Sequence, residues 1–152
     1  MERTIIILKP DALQRNLVGE ILARFERKGL KVIGCKMMRL NDAILADHYA
    51  HHKDKPYFPQ IKEFMKHSPV IVVALEGTGA IEGVRLISGA TKGVDADAGT
   101  IRGDFAMSNQ NLMHASDSPE TAEAEIKRFF KTEELFDYKK LDDCMVYEEI
   151  PF

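Results

Sequence analysis

Thr4-Ile5-Ile6-Ile7-Leu8 is the stretch that decides the fold, and Lys9-Pro10-Asp11 follows it directly. A continuous apolar run rich in β-branched residues is typical of a strand that is buried on both faces of a sheet. Because proline lacks a backbone N–H, the strand is expected to end there. The sequence therefore predicts a central strand over 4–8 with Lys9 at its carboxyl end.

Outward from this strand, apolar periodicity predicts further elements. One helix is predicted before Gly29, a common C-terminal cap, from residues at helical spacing: Val18, Ile21, Leu22 and Phe25. Strands are predicted over 30–37 and 70–75, and a helix over 80–87 follows the latter. Between these strands, Asn41 or Asp42 starts a helix that runs through His52, and Pro56 separates it from a second helix. The two form an inserted helical hairpin.

The last core strand is predicted near 110–114, and Ser118-Pro119-Glu120 then starts a helix with serine as the N-cap. Glu125 falls roughly 40° beyond the apolar arc of this helix, so its side chain is expected to face inward at the rim. Apart from the hairpin, the order of elements is βαββαβ. This order predicts an α+β, ferredoxin-like sandwich with an antiparallel four-stranded sheet, and a long loop over 88–103 after the fourth main helix.

Composition limits the classes of protein to consider. The 152 residues, 45% of them hydrophobic, can close one core, so a single domain over 1–152 is predicted. A net charge of −3 gives no basic field for nucleic acid, and small anionic ligands fit better. The N-terminal apolar run is too short for a signal segment or a membrane span, which predicts a cytoplasmic protein without a membrane partner. Cys35 and Cys144 have no CxxC spacing and are interpreted as buried thiols.

Two familiar binding patterns are weak or absent. The Walker A pattern GxxxxGK[ST] is missing, which excludes a P-loop enzyme, and Gly77-Thr78-Gly79 is interpreted as a tight turn into a helix. His48 and His52 at helical spacing are compatible with a metal site, but neither an HExxH motif nor a fixed acidic ligand accompanies them. A solvated helix face is the favoured interpretation of these histidines.

His114 is the most informative single residue, because histidine can act as a base, a metal ligand or a nucleophile near neutral pH. Four other residues are suited to hold a polyphosphate without a P-loop. Arg85 and Arg102 offer planar forks of donors, and Lys9 and Thr91 add a point charge and a hydroxyl group. The residues alone leave the three roles of His114 open.

Many separated motifs, in register from Arg3 to about Phe136, resemble nucleoside diphosphate kinase: Lys9-Pro10-Asp11, Gly19-Glu20-Ile21, His48-Tyr49, Lys55-Pro56-Tyr57-Phe58, Gly99 to Phe105, and Asn111 to Ser118 with Glu125. The resemblance implies transfer of the γ-phosphoryl group from a nucleoside triphosphate to a nucleoside diphosphate through a phosphohistidine, with ping-pong kinetics. It also implies Mg²⁺, bound mainly by the nucleotide phosphates and not by protein ligands, and a role in maintaining NTP and dNTP pools.

The same resemblance implies a role for each site residue. His114 is the expected nucleophile, Glu125 and Ser116 orient its ring, and Tyr49 packs near it. The other residues are expected to bind nucleotide. Arg85, Thr91 and Arg102 would bind the phosphates, with His52 close by. Lys9 and Asn111 would contact the ribose, and Tyr57 would stack on the base. The sequence does not predict which nitrogen of His114 attacks.

The chain departs from the family pattern at several positions. Lys92-Gly93 stands where the family commonly has Asn-Pro, which predicts a less stable loop. The segment before Asn111 is one residue shorter than in familiar members, and Met107 is the candidate apolar partner of the base. Tyr57 replaces the usual phenylalanine and Ala115 a frequent glycine, and neither change is expected to prevent the chemistry.

A homo-oligomer is expected from the resemblance, with a hexamer favoured over a tetramer because the tail from Leu141 to Phe152 resembles those of hexameric members. About 137–152 is predicted to pack on the oligomer, and the alternative is a tail that packs on its own subunit. Two alternatives to an active kinase are a nucleotide-binding scaffold without turnover and a metal hydrolase built on His48 and His52.

Overall fold

The structure, a computed structural model, describes residues 1–147, and four antiparallel strands form its sheet. The strands are β1 (Glu2–Leu8), β2 (Lys31–Met38), β3 (Val70–Gly77) and β4 (Met113–Ala115), in the spatial order β2-β3-β1-β4. Residues 5–8 of β1 are fully buried, because β1 lies inside the sheet and both of its faces are covered. The predicted ferredoxin-like α+β arrangement is confirmed.

Eight helices surround this sheet in the described part of the chain. They are α1 (Pro10–Gln14), α2 (Val18–Lys28), α3 (Asp42–His48), α4 (Phe58–Lys66), α5 (Ala80–Ser88), α6 (Ile101–Phe105), α7 (Pro119–Phe129) and α8 (Asp143–Val146). Gly29 ends α2 in the left-handed conformation at φ 105°, as its position predicts. None of the helices in residues 1–147 has the length and hydrophobicity that a membrane span requires.

The sheet separates two apolar layers. Successive side chains of a strand point to opposite faces, so Ile6 and Leu8 pack with α2 and α5, whereas Ile5 and Ile7 pack with α3, α4 and α7. Next to β1, β4 pairs Ile7 with His114. This register places His114 at the end of the sheet, between the inserted hairpin and α7.

Several predicted boundaries differ from the structure. The last strand begins at Met113 and not near 110, because Leu112 has a left-handed backbone with φ 72° that breaks the ladder. The helix of the hairpin ends at His48, and a 3₁₀ turn over Ala50–His52 follows it. The predicted long loop contains a second 3₁₀ turn, Gly93–Asp95, and α6.

The prediction of buried thiols was wrong for Cys35, which is exposed, and Cys144 is only half-buried. Cys35 lies on β2, an edge strand, and it shares its outward side with Met37, which is 61% exposed. An apolar residue on an edge strand therefore need not enter the core.

The C-terminal tail contacts its own subunit as far as it is described. The Tyr147 hydroxyl donates to the Gly29 carbonyl at 3.0 Å, and Lys31 Nζ donates to the Tyr138 carbonyl at 2.8 Å. The rest of the predicted tail, 148–152, lies outside the described residues.

Candidate active site

The residues predicted to bind nucleotide all line one cavity of about 750 Å³: Lys9, His52, Tyr57, Arg85, Thr91, Arg102 and Asn111. His114 and Tyr49 line the same cavity. These side chains come from the end of β1, the inserted hairpin, α5, the loop that contains α6, and β4. The fold thus brings together positions that are far apart in the chain.

A chain of two hydrogen bonds holds the His114 ring from behind. His114 Nε2 donates to Glu125 Oε1 at 2.7 Å, and Ser116 Oγ donates to Glu125 Oε2 at 2.6 Å. Burial alone raises the pKa of the Glu125 carboxyl, but the bonds from His114 and Ser116 outweigh burial and hold the pKa below its usual value. A neutral imidazole that donates from Nε2 keeps a lone pair on Nδ1.

Local structure explains why these three residues meet. The Ser118 hydroxyl accepts the Thr121 backbone N–H at 3.1 Å and fixes the start of α7, which packs on β1. Glu125 lies seven residues after this cap, two turns into the helix, and is only 4% exposed. The prediction that Glu125 faces inward is confirmed.

Arg102 is buried and held in place by backbone carbonyls. Its guanidinium group donates to the carbonyls of Asn111, Gly89 and Met113 at 3.3, 2.9 and 2.7 Å. These bonds use three of its five N–H donors and leave two for a ligand in the cavity. Burial and the neighbouring charge of Arg85 lower the pKa of Arg102 to about 10.

Lys9 and Asn111 form a second fixed group at the cavity wall. Lys9 Nζ donates to Asn111 Oδ1 at 2.7 Å, and Asn111 Nδ2 donates to the Thr91 carbonyl at 2.6 Å. Burial, with the charge of Arg102 second, lowers the pKa of Lys9 to about 8, although Asp11 opposes this shift. The ammonium group is therefore poised between charged and neutral forms at mildly alkaline pH.

The opposite wall of the cavity is more open. Tyr57 is 42% exposed, and its hydroxyl shares a hydrogen bond of 2.9 Å with His52 Nδ1. Ile61 and Phe64 of α4 supply apolar surface beside it. Met107 does not line the cavity and is 81% exposed, so the structure does not bring this predicted partner to the base.

Tyr49 is buried and packs against His48, while its predicted position near His114 stays a prediction. Its ring centroid is 4.7 Å from that of His48. Burial, and to a lesser extent the Glu125 carboxylate, raises the pKa of the Tyr49 hydroxyl. Tyr49 therefore stays protonated at neutral pH.

The prediction of a solvated His48 on one helix face with His52 was wrong. The helix ends at His48, whose ring packs edge-on against His114 with centroids 4.6 Å apart, while His52 contacts Tyr57. Burial, then the proximity of His114, lowers the pKa of His48 to about 3, so its ring is neutral. The sequence signal was the position of His48 four residues after Ile44 and three after Leu45, which places it on the apolar face of the helix.

The Lys92-Gly93 departure has a structural counterpart. Gly93 is buried, and its N–H donates to the Ser108 carbonyl at 3.2 Å. A Cβ atom at this position would collide with the backbone of Ala106. The conformation of this loop therefore requires glycine and leaves no room for proline, while the lower stability of the loop stays a prediction.

Comparisons with known proteins agree on one family. Residues 2–135 match the family model of nucleoside diphosphate kinase. The chain is 58% identical over 153 residues to a nucleoside diphosphate kinase of Parabacteroides distasonis, with 100% of both chains covered. It is 48% identical to one of Pyrococcus abyssi, over 93% of this chain and 92% of that protein.

A solved structure is also similar. It is that of a halophilic nucleoside diphosphate kinase from Halobacterium salinarum in complex with CDP. The TM-score is 0.94 at 42% sequence identity, with 96% of this chain and 98% of that chain covered. Sequence and backbone therefore agree over nearly the full length.

Proposed function

This chain belongs to the nucleoside diphosphate kinase family, and on that premise we propose that His114 carries the phosphoryl group from one nucleotide to the next. The chain is a phosphotransferase that moves the γ-phosphoryl group of a nucleoside triphosphate to a nucleoside diphosphate. The contacts around His114 support its role as the carrier, and the other cavity side chains fit the parts of a nucleotide.

The hydrogen bond of 2.7 Å between His114 Nε2 and Glu125 carries the proposal. It leaves the lone pair on Nδ1, which attacks the γ-phosphorus while the bond to the leaving diphosphate oxygen breaks. The ring becomes cationic, and the Glu125 carboxylate, itself held by Ser116, offsets the charge. An oxygen of the next diphosphate then attacks phosphorus, the N–P bond breaks, and the ring is neutral again. One site thus serves both nucleotides in turn, which gives ping-pong kinetics.

Different side chains of the cavity bind different parts of the nucleotide. Arg85, Thr91 and Arg102 bind the phosphates, and His52 lies close by. Lys9 and Asn111 contact the ribose hydroxyl groups, Tyr57 stacks on the base, and Tyr49 packs beside the nucleophile. Stacking makes no demand on base-edge donors, so several bases are expected to be accepted.

Mg²⁺ fits this cavity as an ion carried by the nucleotide. Among the described lining residues the charged groups are mostly cationic, and Asp117 is the one carboxylate. The main ligands of Mg²⁺ are therefore the phosphate oxygens of the nucleotide. When bound, the ion neutralises charge on the phosphates. The arginines and Lys9 add to that neutralisation.

We also propose a cytoplasmic homo-oligomer, a hexamer in preference to a tetramer, of single-domain subunits whose tails pack on the oligomer. Exposed apolar side chains support association: Met37, Leu86, Val94 and Met107. The mass of the particle in solution tests this proposal, and a monomeric mass would contradict it.

Incubation with ATP labelled at the γ-phosphate tests the assignment of His114. The wild-type protein is expected to form an acid-labile, base-stable phosphoprotein, and His114→Gln is expected to form none. His51→Gln, a change at an exposed histidine of the 3₁₀ turn, serves as the control and should label normally. Robust labelling of His114→Gln would disprove the assignment, and nucleotide binding without exchange in the wild type would favour a scaffold.

A further inference from the structure

His48, His114 and Glu125 place three potential metal-ligand atoms within 4.8 Å of one another. Glu125 Oε1 lies 2.7 Å from His114 Nε2 and 3.5 Å from His48 Nδ1. The His48 side chain is only 1% exposed, and neither of its ring nitrogens has a hydrogen-bond partner in the described part of the chain. Buried polar atoms are normally paired, so these nitrogens are available for a ligand that residues 1–147 do not supply.

We propose that these three residues form a binding site for a borderline divalent cation of the zinc class, and that occupancy of the site blocks phosphoryl transfer. Two imidazoles and one carboxylate are a donor set typical of Zn²⁺, with a fourth position left for water. Mg²⁺ prefers oxygen ligands and is not expected to compete here. The site differs from that of the nucleotide-borne ion, because it lies behind the His114 ring.

Metal binding would act through the tautomer of His114. The ring now donates its proton from Nε2 to Glu125. When a cation binds at Nε2, the Nε2–H bond breaks and the electron pair it leaves ligates the ion, while the displaced proton moves through solvent to the lone pair of Nδ1 in the same ring. Nδ1 then has no lone pair with which to attack phosphorus. This inhibitory step rests on the proposed role of His114, whereas binding of the ion does not.

The ion has a route to the site. The His114 side chain is 24% exposed and lines the cavity, so an ion can approach from there. Glu125 supplies the negative charge, while Arg128 and His51 are the other ionisable groups close enough to His48 to affect it. The rings of His48 and His114 stand at 81° to each other, a relative orientation that lets two imidazoles ligate one ion from different sides.

Co²⁺ binding to the nucleotide-free protein tests the site without any reference to activity. Tetrahedral Co²⁺ absorbs strongly in the visible range, and added Zn²⁺ should displace it. His48→Phe keeps an aromatic ring of similar size but removes one metal ligand. Loss of a group that only supports a ligand typically lowers metal affinity about tenfold or more, so loss of the ligand itself is expected to weaken binding at least about tenfold. His51→Phe is the matched control, because the exposed His51 ring lies 4.0 Å from the half-buried His52 ring and this pair is another set of imidazole ligands nearby. Unchanged binding in His48→Phe, or lost binding in His51→Phe, would overturn the proposal.

Phosphohistidine formation from Mg²⁺ and ATP tests the inhibitory step. The labelling of each protein at rising Zn²⁺ is compared with its own labelling without the ion, because the His48 ring contacts His114. His48→Phe should need at least about tenfold more Zn²⁺ than the wild type for the same fractional inhibition. Normal wild-type labelling at saturating Zn²⁺ would refute inhibition. No wild-type labelling even without Zn²⁺ would refute the proposed function instead, and the Co²⁺ result would still decide the site.

A measurement on the wild type keeps the test decisive if His48→Phe does not fold. Zn²⁺ should protect His114 from acylation by diethyl pyrocarbonate, as read by mass spectrometry, and should leave the reactivity of exposed His67 unchanged. Equal protection of both histidines, or of neither, would count against the site.

Discussion

The two sides of the His114 ring differ in how far their side chains are already buried and hydrogen-bonded before a nucleotide binds. On the inner side, Glu125 and Ser116 are buried and joined to the ring by short hydrogen bonds. On the cavity side, Arg85, Thr91 and Tyr57 are exposed. In the proposed mechanism, His114 reacts in the same way in every cycle and benefits from a fixed orientation, whereas the cavity side chains receive different nucleosides.

Arg102 and Lys9 extend this comparison. Both line the cavity, but both are held by hydrogen bonds to the protein, as Glu125 and Ser116 are on the inner side. If preorganisation determines catalytic importance, the effect of a substitution should increase with burial and with the number of hydrogen bonds that the residue already makes. Four substitutions test this relation, from the largest expected effect to the smallest.

Arg102→Ala is expected to have the largest effect of the four. It removes a guanidinium group fixed by three carbonyls and leaves those carbonyls without their donors. Loss of one preorganised donor lowers kcat by about 10²–10³-fold in other enzymes, and a similar loss is expected here. The measurement is steady-state kinetics of Arg102→Ala compared with Lys92→Ala, in which the side chain removed is an exposed cation. Equal losses in the two variants would contradict the comparison.

Ser116→Ala tests the inner side alone. The hydroxyl donates to the Glu125 carboxylate, and a hydrogen bond to a charged group contributes about 1.5–3 kcal/mol. Part of that stabilisation should act only when the ring becomes cationic during phosphoryl transfer. kcat is therefore expected to fall about tenfold, with KM little changed. A rise in KM at constant kcat would mean that Ser116 acts on nucleotide binding instead of on the ring.

Lys9→Arg tests a group that is fixed but titratable. Burial lowers the pKa of Lys9 to about 8, so the ammonium form is present below that pH and is lost above it. kcat/KM of the wild type should therefore fall as the pH rises through about 8. Arginine stays protonated, so this decline should move to higher pH in the variant. The same alkaline decline in both proteins would show that another group causes it.

Tyr57→Phe is expected to have the smallest effect. It removes the hydroxyl that bonds to His52 but keeps the ring that is proposed to stack on the base. KM should change by less than about threefold, whereas Tyr57→Ala should raise KM more, because stacking contributes about 1–3 kcal/mol per base. If Tyr57→Phe raised KM as much as Tyr57→Ala, the hydroxyl group and not the ring would be the binding element.

Much of the fold follows from local patterns. The apolar run over 4–8 became the fully buried part of β1, and Ser118-Pro119 started α7 as predicted. Each of these signals depends on hydrogen bonding or hydrophobic periodicity within a few residues. Boundaries were less predictable, because the left-handed Leu112 shortened β4 and nothing in its immediate sequence demands that conformation.

The site was predictable in composition but not in arrangement. The resemblance named the residues that line the cavity, yet it did not identify the attacking nitrogen, the burial of His48 or the fixed state of Arg102. Each of these depends on contacts between elements that are distant in sequence. The Gly93 loop is a further example: its sequence suggested freedom, and its neighbours Ala106 and Ser108 impose one conformation.

The sequence by itself determined the βαββαβ order, the inward position of Glu125 and the set of residues from which the site is built. The order of elements and the position of Glu125 arise from periodicity, capping and turn chemistry, which act over a few residues, whereas the set of site residues comes from the resemblance to the family. Only the tertiary structure decided that Nε2 of His114, and not Nδ1, contacts Glu125, and that His48 packs against the His114 ring with no hydrogen-bond partner among residues 1–147. Hydrogen bonds and ring contacts act over a few ångströms, so they are defined only once the sheet and α7 have packed together.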